Sequence, residues 1–151
     1  MRPKSSLLLA AVVLLVAMIV PGTASAHGTH VKAKMAGSKV VGEPGAPNGE
    51  GTANLHLLRK KNRVCFTIEY TGIGSRNGME IGVYRGKKGE NGNQKITLVE
   101  TEKKDPIEGC VNGIAKSILK KITRSPHRFH VNLKTDKYPV DGAIRGQLKA
   151  I

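Results

Sequence analysis

The sequence predicts an all-β fold: an antiparallel, Greek-key-like β-sandwich of about seven strands with one short helix and one disulfide. Three observations predict it. Apolar residues recur at a period of two in short runs, turn residues divide those runs, and a single stretch switches to a helical period. Short strands with turn signals roughly every 8–15 residues are the pattern of a sandwich.

The elements follow in order. Val31, Ala33 and Met35 alternate with polar neighbours, an edge-like first strand within residues 27–36. From Gly42 to Gly51 six of ten residues are Gly or Pro, which excludes a helix and predicts a long turn. Ala53, Leu55 and Leu57 form the next alternation. Arg59-Lys60-Lys61-Asn62 is a polar turn, and Val64, Phe66, Ile68 and Tyr70 alternate after it, so the pair reads as a hairpin. Asn77-Gly78 marks a turn ahead of Met79, Ile81 and Val83. A Gly-rich loop over residues 86–94 leads to a β-rich run, Lys95 to Glu100, and charged residues then dominate up to Glu108. Ile114, Ile118, Leu119 and Ile122 lie on one helical face, with Lys116, Lys120, Lys121 and Arg124 off it. Pro126 should stop this helix by about Arg124. Phe129, Val131 and Leu133 form a strand, Tyr138-Pro139 and Asp141-Gly142 a turn, and Ile144, Gln147 and Leu148 the last strand.

The first 26 residues read as a processing signal. Arg2 and Lys4 precede an apolar run from Leu7 to Val20, Pro21-Gly22 breaks it, and Ala24-Ser25-Ala26 offers a peptidase site. The run is short for a membrane anchor, which needs about 20 residues. Residues 1–26 are therefore expected to be cleaved, leaving a single domain, 27–151, outside the cytoplasm. No second apolar run follows, so no transmembrane segment is expected after processing. Only Cys65 and Cys110 remain to pair, and an oxidising compartment makes their disulfide the default over two free thiols. Their separation is wrong for a Cys-x-x-Cys redox pair.

Charge is the most unusual property. The 25 Lys and Arg face 11 Asp and Glu, a formal net charge of +14, which loss of Arg2 and Lys4 reduces to +12. Aromatics are only 3% and Trp is absent, so a stacking surface for single-stranded nucleic acid is not expected, nor a specific nucleic-acid partner. No glycine-rich phosphate loop precedes a Lys-Ser or Lys-Thr pair.

The segment Arg128-Phe129-His130-Val131-Asn132-Leu133-Lys134-Thr135, with Tyr138-Pro139 and Gly142-Ala143-Ile144-Arg145-Gly146-Gln147-Leu148, resembles the signature of CHRD (chordin-type) domains. That family reads Tyr-Val-Asn-Val-His-Thr, then Phe/Tyr-Pro, then Gly-Glu/Ala-Ile-Arg-Gly-Gln-Leu. Gly45 to Ala53 looks like its Gly-rich entry into the second strand. Cys65 and Cys110 sit where many bacterial, secreted members carry a cysteine pair. The resemblance covers roughly residues 33–149. The resemblance implies structural roles for the motif residues Gly142, Ile144, Arg145, Gly146, Gln147 and Leu148, and physical grounds agree for three of them: Gly142 allows a tight turn, Gly146 a close backbone approach, and Arg145 a fork across carbonyls or a carboxylate.

The departures bear on chemistry. The family's Ala-His-Ile-His-x-Gly aligns with Ile81-Gly82-Val83-Tyr84-Arg85-Gly86, and its third histidine with Lys134, so the ligand set that the resemblance would imply is absent. No resident cofactor is expected, and no nucleophile–base–orienter set can be assembled. His127 and His130 read as surface histidines on opposite faces of a strand, and His56 as solvent-facing. After cleavage behind Ala26, His27 carries a free amine that, with its own imidazole and His30, suits Cu(II). Copper is thus the alternative function.

The leading expectation is a non-enzymatic binding or structural module with a cationic surface. Lys116, Lys120, Lys121, Arg124 and Arg128 form the candidate contact with an extracellular polyanion, such as a cell-wall polymer or an acidic polysaccharide. Arg59-Lys60-Lys61, in a hairpin turn, serves as a separate basic run for comparison.

Overall fold

The computed structural model describes residues 28–100 and 105–151. The expected leader, its cleavage point and His27 lie outside the described residues. Nine strands are described: β1 Thr29–Ala36, β2 Glu50–Leu58, β3 Arg63–Thr71, β4 Glu80–Arg85, β5 Gln94–Glu100, β6 Ile107–Val111, β7 Phe129–Lys134, β8 Ile144–Gln147 and β9 Lys149–Ala150. One helix, α1, spans Lys116–Arg124, and single 3-10 turns occupy Gly37–Lys39, Arg59–Lys61 and Pro126–Arg128.

The strands form one antiparallel sheet in the order β5-β4-β7-β8-β1-β2-β3-β6, with β9 paired to β1. Between β8 and β1 the ladder narrows to one pair, Ala36↔Arg145. The sheet folds over there into two packed halves, and edge strands β5 and β6 approach each other on the far side. The expected sandwich is present, with its helix and its Cys65–Cys110 disulfide. Alternation set the inner faces: Val31, Leu55, Val64, Ile68, Ile81 and Leu133 are all fully buried. Helix α1 contributes Leu119 and Ile122, each fully buried and each stabilising the fold by about 1.5–3 kcal/mol.

The strand count differs from the expected seven. Strand β6 was hidden by its charged approach, because only Ile107 of its five residues is buried. β9 is a two-residue continuation after Leu148. A second difference concerns burial. β7 is covered on both faces, Phe129 to Leu133 all being buried, and so are Gly82 and Tyr84 in β4. His130 is only 2% exposed, which corrects its assignment to the surface. Alternation reports one covered face, and here loops cover the other.

Strand direction alternates from β1 to β8, so the connections β2–β3, β4–β5 and β6–β7 all leave their strands at the same pole. Those connections are the β2–β3 turn with Arg59–Lys61, the β4–β5 loop with Lys87 and Lys88, and the β6–β7 segment with α1. The main basic runs therefore meet at one pole. Glu43, Asp136 and Asp141 lie in connections at the other.

Candidate functional site

The outer face of β4, β7 and β8 carries a covered polar layer. Register places Tyr84 opposite His130, His130 opposite Gln147, and Asn132 opposite Arg145. The β4–β5 loop folds back over this row, and Arg145 holds it there. Its Nη2 donates to Lys87 O at 3.0 Å and Glu90 O at 2.6 Å, and its Nη1 to Asn91 Oδ1 at 2.8 Å. Gln147 Nε2 lies 2.7–2.8 Å from the carbonyls of Gly86, His127 and Phe129. Asn91 Nδ2 donates onward to Val41 O and Asp141 Oδ1. Arg145 is 2% exposed, and its acceptors are carbonyls and an amide rather than a carboxylate.

The neighbouring motif residues make this layer possible. Ile144 and Leu148 are fully buried in the core. Gly142 has φ +98°, and a Cβ there would strike Asn132 Oδ1. At Gly146 a Cβ would stand 2.6 Å from Lys34 O, so the crossing of β8 over β1 requires glycine.

Burial pushes the His130 imidazole down to about 4, the Arg145 charge adds to this, and the Gly86 carbonyl partly offsets both. The unfolded chain therefore binds a proton between about pH 6.5 and 4 that the folded chain refuses. Stability should fall as pH drops through that window, by about 2–3 kcal/mol between pH 7 and 4.5. Urea unfolding at both pH values checks this. The His130→Phe variant keeps a ring against Tyr84 and should lose that share of the decline; an unchanged decline would count against it.

At the positions where the resemblance places histidines, the chain has a different network. Tyr84 Oη donates to Glu80 Oε1 at 3.1 Å, its ring stacks on His130 with centroids 5.6 Å apart, and Lys134 Nζ lies 5.5 Å from the Tyr84 ring. Burial raises the Tyr84 phenol well above its ordinary range, and Glu80 raises it further. The phenol stays a neutral donor to the Glu80 carboxylate. Among the described residues no group of three or more His, Cys, Asp or Glu gathers as a metal cluster.

The basic residues form a groove at the pole described above. Lys121, Arg124 and Arg128 line it together with Arg85, Ser125 and Phe129. Arg85 and Arg128 also line an adjoining cleft with Lys87, Lys95 and the β4–β5 loop, where Glu90 is the single acid. Lys116 and Lys120 are exposed on α1 but line neither. Sequence spacing alone did not associate Arg85, Lys87 and Lys95 with the helix. Arg59–Lys61, treated above as a separate run, packs beside α1, and Ile114 N donates to Asn62 O at 2.9 Å. It belongs to the same pole.

On the other half of the sandwich, His30, His56, Cys65 and Cys110 stand in one cross-strand row. The disulfide closes one end of the row. His30 stacks on His56 with centroids 4.0 Å apart and planes at 13°, so His56 is half-covered rather than freely solvent-facing. Among the described residues no helix is long and apolar enough to cross a membrane.

A model of the CHRD domain matches residues 31–148, from the middle of β1 to the end of the signature segment. No curated protein and no solved structure matches the chain.

Proposed function

The chain belongs to the CHRD-domain family, and from that premise we propose that it is a non-enzymatic, exported binding module whose cationic groove takes up an extracellular polyanion. One observation carries this reading: Arg85, Lys121, Arg124 and Arg128 converge on one groove from β4, α1 and the following turn, with no acid among its lining residues. Four cations around a concavity raise the local concentration of a polymeric anion more than the same charges spread over a sphere. A cell-wall polyphosphate or an acidic polysaccharide supplies the complementary chemistry. Arg presents a planar fork suited to phosphate and carboxylate, and three of the four cations are Arg.

Binding should weaken steeply with salt, because each neutralised anion releases a counterion. Four contacts at about −0.7 to −0.9 each predict a log–log slope of roughly −3. Poly(glycerol phosphate) and polygalacturonate, titrated over a salt series, provide the two probes. Changing Lys121, Arg124 and Arg128 together to Glu should remove most of the slope. The control changes Lys34, Lys39 and Lys137 to Glu, three exposed lysines toward the opposite pole. Equal losses from both triples would show that net charge drives binding. No binding by the parent at about 0.15 M salt, where screening acts over ~8 Å, would reject the function.

A further inference from the structure

We propose that the polymer taken up at the basic pole is an acidic polysaccharide, held by its anions in the groove and by its sugar hydroxyls in the adjoining cleft. This rests on the cationic groove described above and adds the feature that chooses among polyanions. Arg85 and Arg128 line both concavities, so a chain seated in the groove continues into the cleft along one shared wall. The two differ in size. The groove encloses about 180 Å³, and its charged lining residues are all cations. The cleft encloses about 370 Å³, inside the ~300–1,000 Å³ range of small-molecule sites, which the groove does not reach. The groove therefore suits a charged group and the cleft a sugar-sized unit.

They also differ in acceptors. Beside Lys87 and Lys95, the cleft presents the Glu90 carboxylate and the Asn91 and Asn93 amides. Asn91 is already committed to Arg145, Val41 and Asp141, whereas Glu90 and Asn93 are exposed. Glu90 Oε2 accepts from Lys87 N at 3.3 Å, and a carboxylate has about four acceptor positions, so capacity remains. A sugar hydroxyl donates as well as accepts, which matches a carboxylate and an amide side by side. A phosphate chain only accepts, and it meets Glu90 as a like charge. The backbone carrying these two residues is held. Asn93 O accepts from Arg85 N at 3.0 Å, Glu90 N donates to Lys87 O at 3.0 Å, and Glu90 O accepts from the buried Arg145. At Gly92 a Cβ would strike Arg85 O, so the loop lies directly on the end of β4. With that backbone ordered in advance, only side chains are immobilised on binding.

The probes are polygalacturonate and inorganic polyphosphate of matched charge number, the second without hydroxyls, titrated at about 0.15 M salt. Glu90→Ala adds one net positive charge, which by itself strengthens the binding of any polyanion. For polygalacturonate the lost hydroxyl acceptor should outweigh that gain and weaken binding about tenfold, while polyphosphate binding should strengthen. Asn93→Ala changes no charge, and should weaken polygalacturonate about fivefold while leaving polyphosphate unmoved. Glu90→Gln keeps an oxygen for the Lys87 amide and should shift the two polymers in the same opposed directions. Amide exchange in residues 86–93 should match the parent in all three variants. Parallel changes for both polymers in the Glu90 variants would overturn the proposal and leave the cationic groove standing. Binding of neither polymer by the parent would reject the groove itself.

Discussion

Replacing Cys65 and Cys110 together by Ser should cost about 4 kcal/mol of stability. The bond closes a loop with a sequence separation of 45, and the lost entropy of that loop in the unfolded chain gives the figure. For a domain of this size the melting temperature should fall by roughly 15 °C. The position of the link supports a large effect. It joins direct register partners on β3 and the edge strand β6, and β6 buries only Ile107 of its own. Without the bond, β6 depends on its ladder with β3, and the segment leading to α1 loses its anchor. Urea unfolding of the parent and the double variant measures the difference. A loss below about 1 kcal/mol would contradict it, as would any free thiol in the unfolded exported protein.

Arg145→Met is expected to have the next largest effect, about 3 kcal/mol. The variant keeps much of the side-chain volume but leaves Lys87 O, Glu90 O and Asn91 Oδ1 without their donor. A buried acceptor left unpaired costs about 1–3 kcal/mol. The β4–β5 loop can recover part of that from water by lifting off the sheet, so the sum stays below the upper limit. Lifting has a functional consequence. Lys87, Glu90 and Asn91 line the cleft beside Arg85 and Arg128, so the cationic groove changes shape while its charges on α1 remain. Arg145→Met should therefore speed amide exchange in residues 86–93 beyond the rest of the chain and weaken polyanion binding. Arg145→Lys should rescue only partly, since a single ammonium lacks the planar fork that reaches three acceptors. Unchanged exchange in that loop would refute the anchoring role.

Much of the fold was legible because a half-buried strand writes itself at a period of two. Ala53, Leu55 and Leu57, then Val64, Phe66, Ile68 and Tyr70, are buried in the alternation they predicted. The helical face was legible for the same reason, with Leu119 and Ile122 buried and the lysines off it exposed. β6 was not legible, since Glu108, Gly109 and Cys110 present little apolar contrast to a charged approach. That omission matters for function. With β6 missing, strand parity turns the helix-bearing connection at the pole opposite Arg59–Lys61 and Lys87–Lys88. Restoring it brings the three runs together.

The sequence by itself determined the sandwich class, the cysteine pair, the excess positive charge and the closing motif from Gly142 to Leu148. Each of these depends on local periodicity, composition or a short contiguous pattern. Only the tertiary structure decided which charges share a groove, that His130 is buried beneath a loop, and that His56 stands against His30. Those facts depend on contacts between segments 15 to 61 residues apart, whose pairing follows from strand order and loop fold-back. A period of two records which face of a strand is covered, and carries no information about which distant segment covers it.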